Sequence, residues 1–418
     1  MKMRVSSLIV SRVEQHIIRP NSRYYPMLDD FCFKSKNLYN HAMYIVRQEF
    51  ILSNIWLRYR DLDKLLKLDT EYPDYRNMPT AQSAQQLLKL VDNTWKSFFK
   101  SIKDWSKNKN KYLGKPKLPK YLKKSNRTLL ILTNQNVRLV DNILQFPKIF
   151  NGFALNPKCI YKDNFKSIQQ VRFIPKSNHI VVEVVYNVEL SDNKKIDNGR
   201  YLSIDIGVDN LATVTNNFGA QPFIINGKGL KSVNKYYNKQ ISHYREIAKR
   251  MNDLYHTHRM DYFTVKRNFK INDYLHKASR YIVHYANSNN VSAIVIGKND
   301  GWKQKSTMSK NINQTFVQIP FARLIQMISY KAEECGISVI TTEESYTSGT
   351  SFLDHEIPAK GFYNKKRRVY RGLFRSNSDQ LINADVNGSL QIMKKVFPNA
   401  FANGIEGVVL HPVKVNCG

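Results

Sequence analysis

The sequence predicts a multidomain α+β protein, because three kinds of pattern follow one another along its 418 residues. After an alternating segment at residues 4–18, a helical pattern runs from 24 to about 107, and a strand-rich stretch from 129 to 190 follows. From residue 200 onward the predicted order is strand, strand, strand, helix, strand, helix, strand, helix. That order is typical of an RNase H-like fold.

The composition indicates a folded protein with a polyanionic partner. The hydrophobic fraction is 42%, which is ordinary for a globular chain. Lys and Arg number 65 against 33 Asp and Glu, giving a net charge of +32. Because this excess is far larger than solubility requires, it predicts contact with a nucleic acid or another polyanion.

The compartment is predicted from what the sequence lacks. No run reaches the roughly 18 apolar residues of a membrane span, and residues 1–5 have no signal-peptide core. The four cysteines are scattered and form no Cys-x-x-Cys pair: Cys32, Cys159, Cys335 and Cys417. We therefore expect a cytoplasmic protein with reduced thiols and no cysteine zinc site.

A basic stretch follows the helical region. Between residues 96 and 127 many lysines accompany a single acid, Asp104, with aromatic residues interleaved and prolines that prevent a continuous helix. A solvated linker is the simpler interpretation, but the aromatics favour contact with a nucleic-acid backbone. The candidate contacts in this stretch are Lys107, Lys111, Lys115, Lys117 and Lys120.

The chain from residue 171 onward is predicted element by element. Residues 171–174 and 179–186 are predicted to form a β-hairpin with its turn at 175–178, and the polar residues 192–199 mark a domain boundary. After it we expect three strands, two long basic helices and a buried strand: 200–206, 211–215, 222–226, 231–254, 262–288 and 293–297. The remaining elements are a helix with Pro320 at its start and Gly336 past its end, a strand, and a last helix: 321–335, 337–342 and 384–396.

Two acids are brought together by this topology. Asp205 ends the first strand in the pentapeptide SIDIG at residues 203–207, and Asp385 begins the last helix. Asp205 alone could be a turn residue, yet an acid on an apolar strand is costly unless it is paired or binds a metal. Gly388 and Ser389 are small enough to let the helix approach the sheet. Convergent carboxylates suit Mg²⁺, or Mn²⁺ in its place, for two-metal phosphodiester hydrolysis.

These residues resemble the TnpB (OrfB) family of insertion-sequence proteins, which are RNA-guided nucleases related to type V CRISPR effectors. The resemblance is carried by five segments along the chain: 36–40, 114–121, 203–207, 346–348 and 383–388. It implies a RuvC-like nuclease domain, a guide RNA, a DNA target paired to it as an RNA-DNA heteroduplex, and a location in the prokaryotic cytosol or nucleoid.

The resemblance also implies a domain organisation. Residues 1–20 and 126–198 would form a wedge-type β-barrel, with residues 21–125 as a helical recognition insertion that ends in the basic linker. The RuvC domain would comprise 199–346 and 383–397. A basic insertion at 347–382 would stand in place of a zinc ribbon, and 398–418 would be a carboxy-terminal tail.

The sequence departs from the family in two places. Gly297 stands where the family has a Glu at the end of the fourth strand, and residues 347–382 contain no cysteine. Because these cysteines are missing, we expect the zinc ribbon of the family to be absent or replaced, and no zinc to be bound here. Since neighbouring strands lie about 4.8 Å apart, a Glu at the end of the fifth strand could serve the same site. We predict Glu344 as the relocated metal ligand, with Glu343 as its substitute.

Other acids and bases are weaker candidates. Asp300 and Asp354 are possible ligands, whereas Asp209 is interpreted as a turn residue. Trp302 is expected to be a packing residue. The further nucleic-acid contacts are predicted on a basic helix and in the insertion: Lys277, Arg280, Lys366, Arg367 and Arg368.

The predicted function is RNA-guided DNA cleavage, with Asp205, Glu344 and Asp385 as catalytic metal ligands. Base pairing would choose the target together with a short adjacent motif. Two alternatives stay open at this point. One is a nuclease-dead, RNA-guided repressor, which Gly297 favours; the other is a transposase that binds element ends without RNA. The oligomeric state is open.

Overall fold

The computed structural model describes residues 7–191, 195–252, 255–299, 314, 316–402, 404 and 407–417. The described residues fall into two compact units, one that ends at residue 190 and one that begins at residue 191. None of the helices in the described ranges is both long and apolar enough to cross a membrane. Asp300 and Trp302 lie outside the described residues.

The amino-terminal unit combines three helices with two small sheets. The helices are α1 (Tyr25–Ser53), α2 (Tyr59–Leu68) and α3 (Ala81–Lys107). The strands are β1 (Ser7–Ile18), β2 (Leu130–Thr133), β3 (Arg138–Val140), β4 (Ile143–Gln145), β5 (Ala154–Leu155), β6 (Phe165–Lys176) and β7 (His179–Ser191). One sheet has the order β1-β7-β6-β2 and the other β3-β4-β5.

One hydrophobic core joins the helices and the sheet of this unit. Trp95 of α3 and Phe173 of β6 are fully buried members of it, and so is Leu38 of α1. A capping box at Thr80 and Ser83 fixes the start of α3, because each side chain satisfies a backbone group of the other residue. The regions predicted as a helical lobe and as a strand-rich region therefore share a single core.

The carboxy-terminal unit contains the predicted order of elements. Its strands are β8 (Tyr201–Asp205), β9 (Asn210–Asn216), β10 (Phe223–Asn226), β11 (Ala293–Gly297) and β12 (Ser338–Thr342). Its helices are α4 (Lys228–Asn252), α5 (His258–Ser288), α6 (Phe321–Glu334) and α7 (Ala384–Val396). The sheet order β12-β11-β8-β9-β10 is that of an RNase H-like fold, so the predicted α+β topology of this unit is confirmed.

A sixth strand extends this sheet and was not predicted. Residues 413–415 pair in parallel with β10, where Phe223 lies opposite Val413. This strand lies in the stretch expected to be a tail. Three residues of alternating character are too short to be recognised from sequence, and the pairing supplies their stability.

The two faces of the central sheet receive different helices because side chains alternate along each strand. Leu202 and Ile204 point into the core that contains residues of α5 and α6. The opposite face carries Ser203, whose hydroxyl lies 3.1 Å from that of Ser389 in α7. Asp205 is two residues beyond Ser203 in the same strand, so its side chain lies on the face that α7 covers.

The basic insertion folds against α7. Its strands are β13 (Arg368–Tyr370), β14 (Leu373–Arg375) and β15 (Leu381–Asn383), which pair as an antiparallel sheet. A small core holds it, formed by Phe352, Phe374 and Ile382 with residues of α7. Hydrophobic packing therefore stabilises the region in which the family resemblance places a zinc ribbon.

Asn387 of α7 fastens the insertion through two buried hydrogen bonds. Its Oδ1 accepts a hydrogen bond from the Phe352 backbone N–H at 2.9 Å, and its Nδ2 donates to the Thr350 carbonyl at 2.8 Å. The Asn387 side chain is fully buried. Losing it would leave two backbone groups without partners inside the protein.

We predict that Asn387→Ala loosens the insertion. A buried polar group left unsatisfied costs about 1–3 kcal/mol, so hydrogen exchange of the β14 amides should be at least about tenfold faster. Asn377→Ala, which removes an exposed amide from the same insertion, is the matched control. Unchanged β14 exchange in Asn387→Ala would contradict the proposed fastening.

Candidate active site

Asp205 occupies the carboxyl end of the central strand. β8 pairs with β11 in parallel and with β9 in antiparallel orientation, with Asp205 opposite Thr213. α7 approaches this point closely: a Cβ added to Gly388 would lie 3.0 Å from Asp205 Oδ2. A larger residue at 388 would therefore crowd the carboxylate, and the glycine allows the close approach that was expected from the small residues of this helix.

Glu344 lies two residues beyond the end of β12, and its side chain lies beside Gly297. The parallel register places Gly297 opposite Thr342. A Cβ added to Gly297 would lie 2.9 Å from Glu344 Oε2 and 2.5 Å from Ile392 Cδ1. The space that a side chain at 297 would need is thus filled by Glu344 and by α7.

Asp385 lies in the first turn of α7. The Asn383 side chain caps this helix by accepting hydrogen bonds from the backbone N–H groups of Asp385 and Val386 at 3.0 and 3.2 Å. The Asn210 side chain, from the start of β9, donates to Asp385 Oδ2 at 2.5 Å. Two asparagines therefore fix the helix start and its carboxylate.

The electrostatics link the three carboxylates. Burial, followed by the charges of Glu344 and Asp385, raises the pKa of Asp205 well above its usual value, and Arg368 partly opposes this. Burial raises the pKa of Glu344 to about 7, against the opposing influence of Lys395. Burial therefore disfavours the ionised form of both acids, and at Asp205 the two neighbouring acids add to this effect.

The chemistry of these groups fits a divalent cation. All three are oxygen donors, which hard ions such as Mg²⁺ prefer. Glu344 Oε2 is buried and has no hydrogen-bond partner, so it is available as a ligand atom. Among the residues that the structure describes, no group of three or more His, Cys, Asp or Glu side chains has the arrangement of a metal centre.

The other acidic candidates lie in different surroundings. Glu343 is exposed, whereas Glu344 is partly buried. Asp209 pairs with Lys231 and with Arg371, and the Lys231 hydrogen bond together with these charges lowers the pKa of its carboxyl. Asp354 accepts a hydrogen bond from the Asn377 backbone N–H at 2.8 Å. The structure thus gives Asp209 and Asp354 partners of their own.

The basic segment, which we define as residues 108–127, is irregular but fastened to α1. Asn40 donates to the Leu122 carbonyl at 2.9 Å and accepts from the Leu122 N–H at 2.8 Å. Arg47 donates to the Pro119 carbonyl, and its guanidinium lies 5.2 Å from the Tyr121 ring centre. The backbone of this segment is therefore held in a defined course.

The lysines predicted as contacts lie on the surface of this part of the unit. Lys107 ends α3, and four others follow along the basic segment, all exposed: Lys111, Lys115, Lys117 and Lys120. Asp104, the single acid between residues 96 and 127, accepts hydrogen bonds from Asn108 Nδ2 and from the Tyr112 hydroxyl, both at 2.8 Å. The exposed charge of the segment is accordingly positive.

The basic candidates of the other unit differ in their environments. Lys277 and Arg280 are exposed on α5, where Lys277 pairs with Asp273 at 2.8 Å. Lys366 and Arg368 are exposed in the insertion. Arg367, in contrast, has a side chain that is only 17% exposed and lies 2.7 Å from Glu356 Oε1. Arg367 thus joins two parts of the insertion.

The sequence reasoning did not find the amides around the carboxylates. Asn210, Asn299 and Asn383 each bond to one of the acidic residues or to its backbone. Asn383 follows a recognisable signal, since Asn before a helical run is a favoured cap. Asn210 begins strand β9 and Asn299 lies in the loop after β11, and Asn is common near strand ends for many reasons, so their partners could be found only in three dimensions.

Comparisons with known proteins support the family resemblance. The model of OrfB_IS605, described as a probable transposase, matches residues 179–303. The model of the Cas12f1-like TNB domain matches residues 321–392. These two matches confirm the resemblance to the TnpB (OrfB) family and to type V effectors. No curated protein matches the sequence.

Two solved structures are distantly similar. One is the "Cryo-EM structure of the Cas12f1-sgRNA-target DNA complex", with 15% identity over 92% of this chain and 98% of the other, and a TM-score of 0.36. The second is the "Cryo-EM structure of CRISPR-Cas12f Ternary Complex", with 14% identity over 88% and 80% of the two chains, and a TM-score of 0.36.

We predict that Gly297→Ala destabilises the carboxy-terminal unit by about 1–3 kcal/mol, because the added methyl group overlaps Ile392 and Glu344. Urea denaturation followed by a probe in this unit measures the change. Gly361→Ala is the matched control, since nothing lies within 4 Å of a Cβ at that position. Equal stability of the two variants would show that the space beside Gly297 is not filled as described.

Proposed function

We propose that this TnpB-like, type V-related chain is an RNA-guided DNA endonuclease with a RuvC-like site. In this proposal a guide RNA pairs with the target DNA, and the protein recognises the heteroduplex and a short motif beside the target. Asp205, Glu344 and Asp385 are the catalytic residues and bind Mg²⁺ or Mn²⁺. The two family models support the coarse assignment; the residue roles are our proposal.

One observation carries the assignment of the site. Glu344 fills the space beside Gly297, and its charge acts on Asp205 together with that of Asp385. If Glu344 only capped the end of β12, its carboxylate would be more stable pointing into water than lying beside Gly297. Asp205, Glu344 and Asp385 are each only partly exposed to solvent, and holding such acids near one another is costly. A divalent cation would offset that cost.

The residues themselves have distinct tasks in this scheme. A bound divalent ion would activate water and stabilise the leaving oxygen of the phosphodiester. Asp205 is fixed by its strand and by the close approach of α7. Asp385 is held by Asn210, and Glu344 keeps one buried oxygen without a hydrogen bond. Arg368 is near enough to affect Asp205 and would attract the phosphate backbone.

The remaining predicted regions belong to the proposal as well. We assign guide and heteroduplex binding to the wedge-type β-barrel (1–20 and 126–198), the helical lobe (21–125) and the exposed lysines of the basic segment. The exposed bases Lys277, Arg280, Lys366 and Arg368 would contact backbone phosphates. Arg367 is a weaker candidate for contact, since it already pairs with Glu356.

We predict that Asp205→Ala, Glu344→Ala and Asp385→Ala each reduce cleavage by about 100-fold or more while target binding persists, because each removes an oxygen ligand. Cleavage of a matched plasmid by the purified protein with its co-purifying RNA measures the first, and gel-shift titration the second. Glu343→Ala is the matched control and should cleave at the parental rate.

Three outcomes would contradict the proposal. Parental cleavage by Asp205→Ala would disprove the site. Target binding by the parent without any cleavage in Mg²⁺ would indicate the nuclease-dead repressor. The presence of Gly297 where the family has a Glu favours that alternative. Binding of DNA ends by a preparation free of RNA would indicate a transposase.

We further predict that the fastening of the basic segment matters for RNA affinity. Asn40→Ala leaves every lysine in place but releases Leu122, so RNA binding should weaken about tenfold through lost preorganisation, with an unchanged salt slope. Filter binding at several salt concentrations measures both. Lys117→Ala should instead lower the salt slope by about one unit, and Asn93→Ala, an exposed amide on α3, is the control.

A further inference from the structure

Glu344 is the acid whose position departs from the family pattern, and the Asn299 side chain donates a hydrogen bond to its carboxylate. Asn299 lies two residues beyond β11, next to the end of β12. The pairing of the two strands continues to this point, because the Lys298 backbone N–H donates to the Thr342 carbonyl at 2.8 Å. Asn299 and Glu344 therefore face each other across two neighbouring strand ends.

The contact between them is reciprocal. Asn299 Nδ2 donates to Glu344 Oε1 at 2.9 Å, and Asn299 Oδ1 accepts from the Glu344 backbone N–H at 3.2 Å. One amide thus fixes the carboxylate relative to its own backbone. With Oε1 engaged in this way, Oε2 is the oxygen that lies beside Gly297, buried and without a hydrogen-bond partner.

We propose that Asn299 is the positioning residue of Glu344, and this inference rests on the proposed function. A carboxylate can rotate freely about its last bond and present either oxygen. By binding Oε1, Asn299 selects one orientation and leaves Oε2 as the ligand atom for the divalent cation. Partners of this kind around a ligand change metal affinity by about 10- to 100-fold when they are removed.

A purely structural role for Asn299 is the competing explanation. Lys395 already holds the same turn, since its Nζ donates to the backbone carbonyls of Glu343 and Ser345 at 2.8 and 3.0 Å. Loss of Asn299 therefore leaves the course of the backbone supported. What it removes is the bond to the carboxylate oxygen, and the test must detect that loss specifically.

The test uses Fe²⁺ in place of Mg²⁺, with ascorbate and peroxide, on the full-length protein carrying its RNA. Iron bound at the site cuts the polypeptide nearby, and the positions of the fragments separate this site from iron on RNA phosphates. For the parent we expect fragments that end near residues 205, 344 and 385. For Asn299→Ala, the Fe²⁺ concentration that gives half-maximal cutting should rise about 10- to 100-fold.

Three variants make this result specific. Asn299→Leu, of similar volume, should behave like Asn299→Ala, which excludes an effect of the void. Asn217→Ala is the control, because the Asn217 side chain makes the same two kinds of bond. It accepts a hydrogen bond from the Tyr201 backbone N–H and donates one to the Gly199 carbonyl. It should lower the melting temperature and leave the iron dependence unchanged. In a Glu344→Ala background, Asn299→Ala should have no further effect.

Each result decides a different point. If the parent gives no fragments near the three carboxylates, the metal site of the proposed function is wrong. If the parent gives them and Asn299→Ala needs no more iron, only the role of Asn299 is wrong. An equal effect of Asn299→Ala with and without Glu344 would show that it acts through the general fold, which would also overturn the inference.

Discussion

The constraint on which this fold depends is the meeting of three carboxylates at one end of a sheet. Burial, followed by the charges of Glu344 and Asp385, raises the pKa of the Asp205 carboxyl well above its usual value, and Arg368 opposes this only in part. Such a cluster is unfavourable in isolation. It persists because each acid belongs to a different rigid element: β8, the end of β12, and the start of α7.

Strand register explains why the Glu344 side chain reaches the end of β11. β11 and β12 run in parallel with Gly297 opposite Thr342, so a residue just beyond β12 can reach the space above the end of β11. That approach requires the position on β11 to carry no side chain. A methyl group at Gly297 would collide with both Glu344 and Ile392. The position of the Glu344 side chain therefore depends on glycine at position 297.

The sequence predicted what depends on periodicity and could not predict what depends on single contacts. Helix α7 begins and ends where its pattern indicates, and α6 differs by one residue, because each has a strong apolar stripe with clear boundary residues. Strand Val413–Val415 is short and is stabilised only by pairing with β10. The partners of Asn40 and Asn299 are similarly absent from any local pattern, since each joins segments that are distant in sequence.

The insertion shows how packing can control the electrostatics of the site. Its core of Phe352, Phe374 and Ile382 lies against α7, and β13 belongs to the same small sheet. Arg368 in β13 partly opposes the rise in the pKa of Asp205, and the small sheet that carries Arg368 is held in place by hydrophobic contacts. Asn387 binds the backbone of Thr350 and Phe352, so the insertion is also fastened to the helix that begins at Asp385. The position of the cation relative to the acids therefore depends on how the insertion packs against α7.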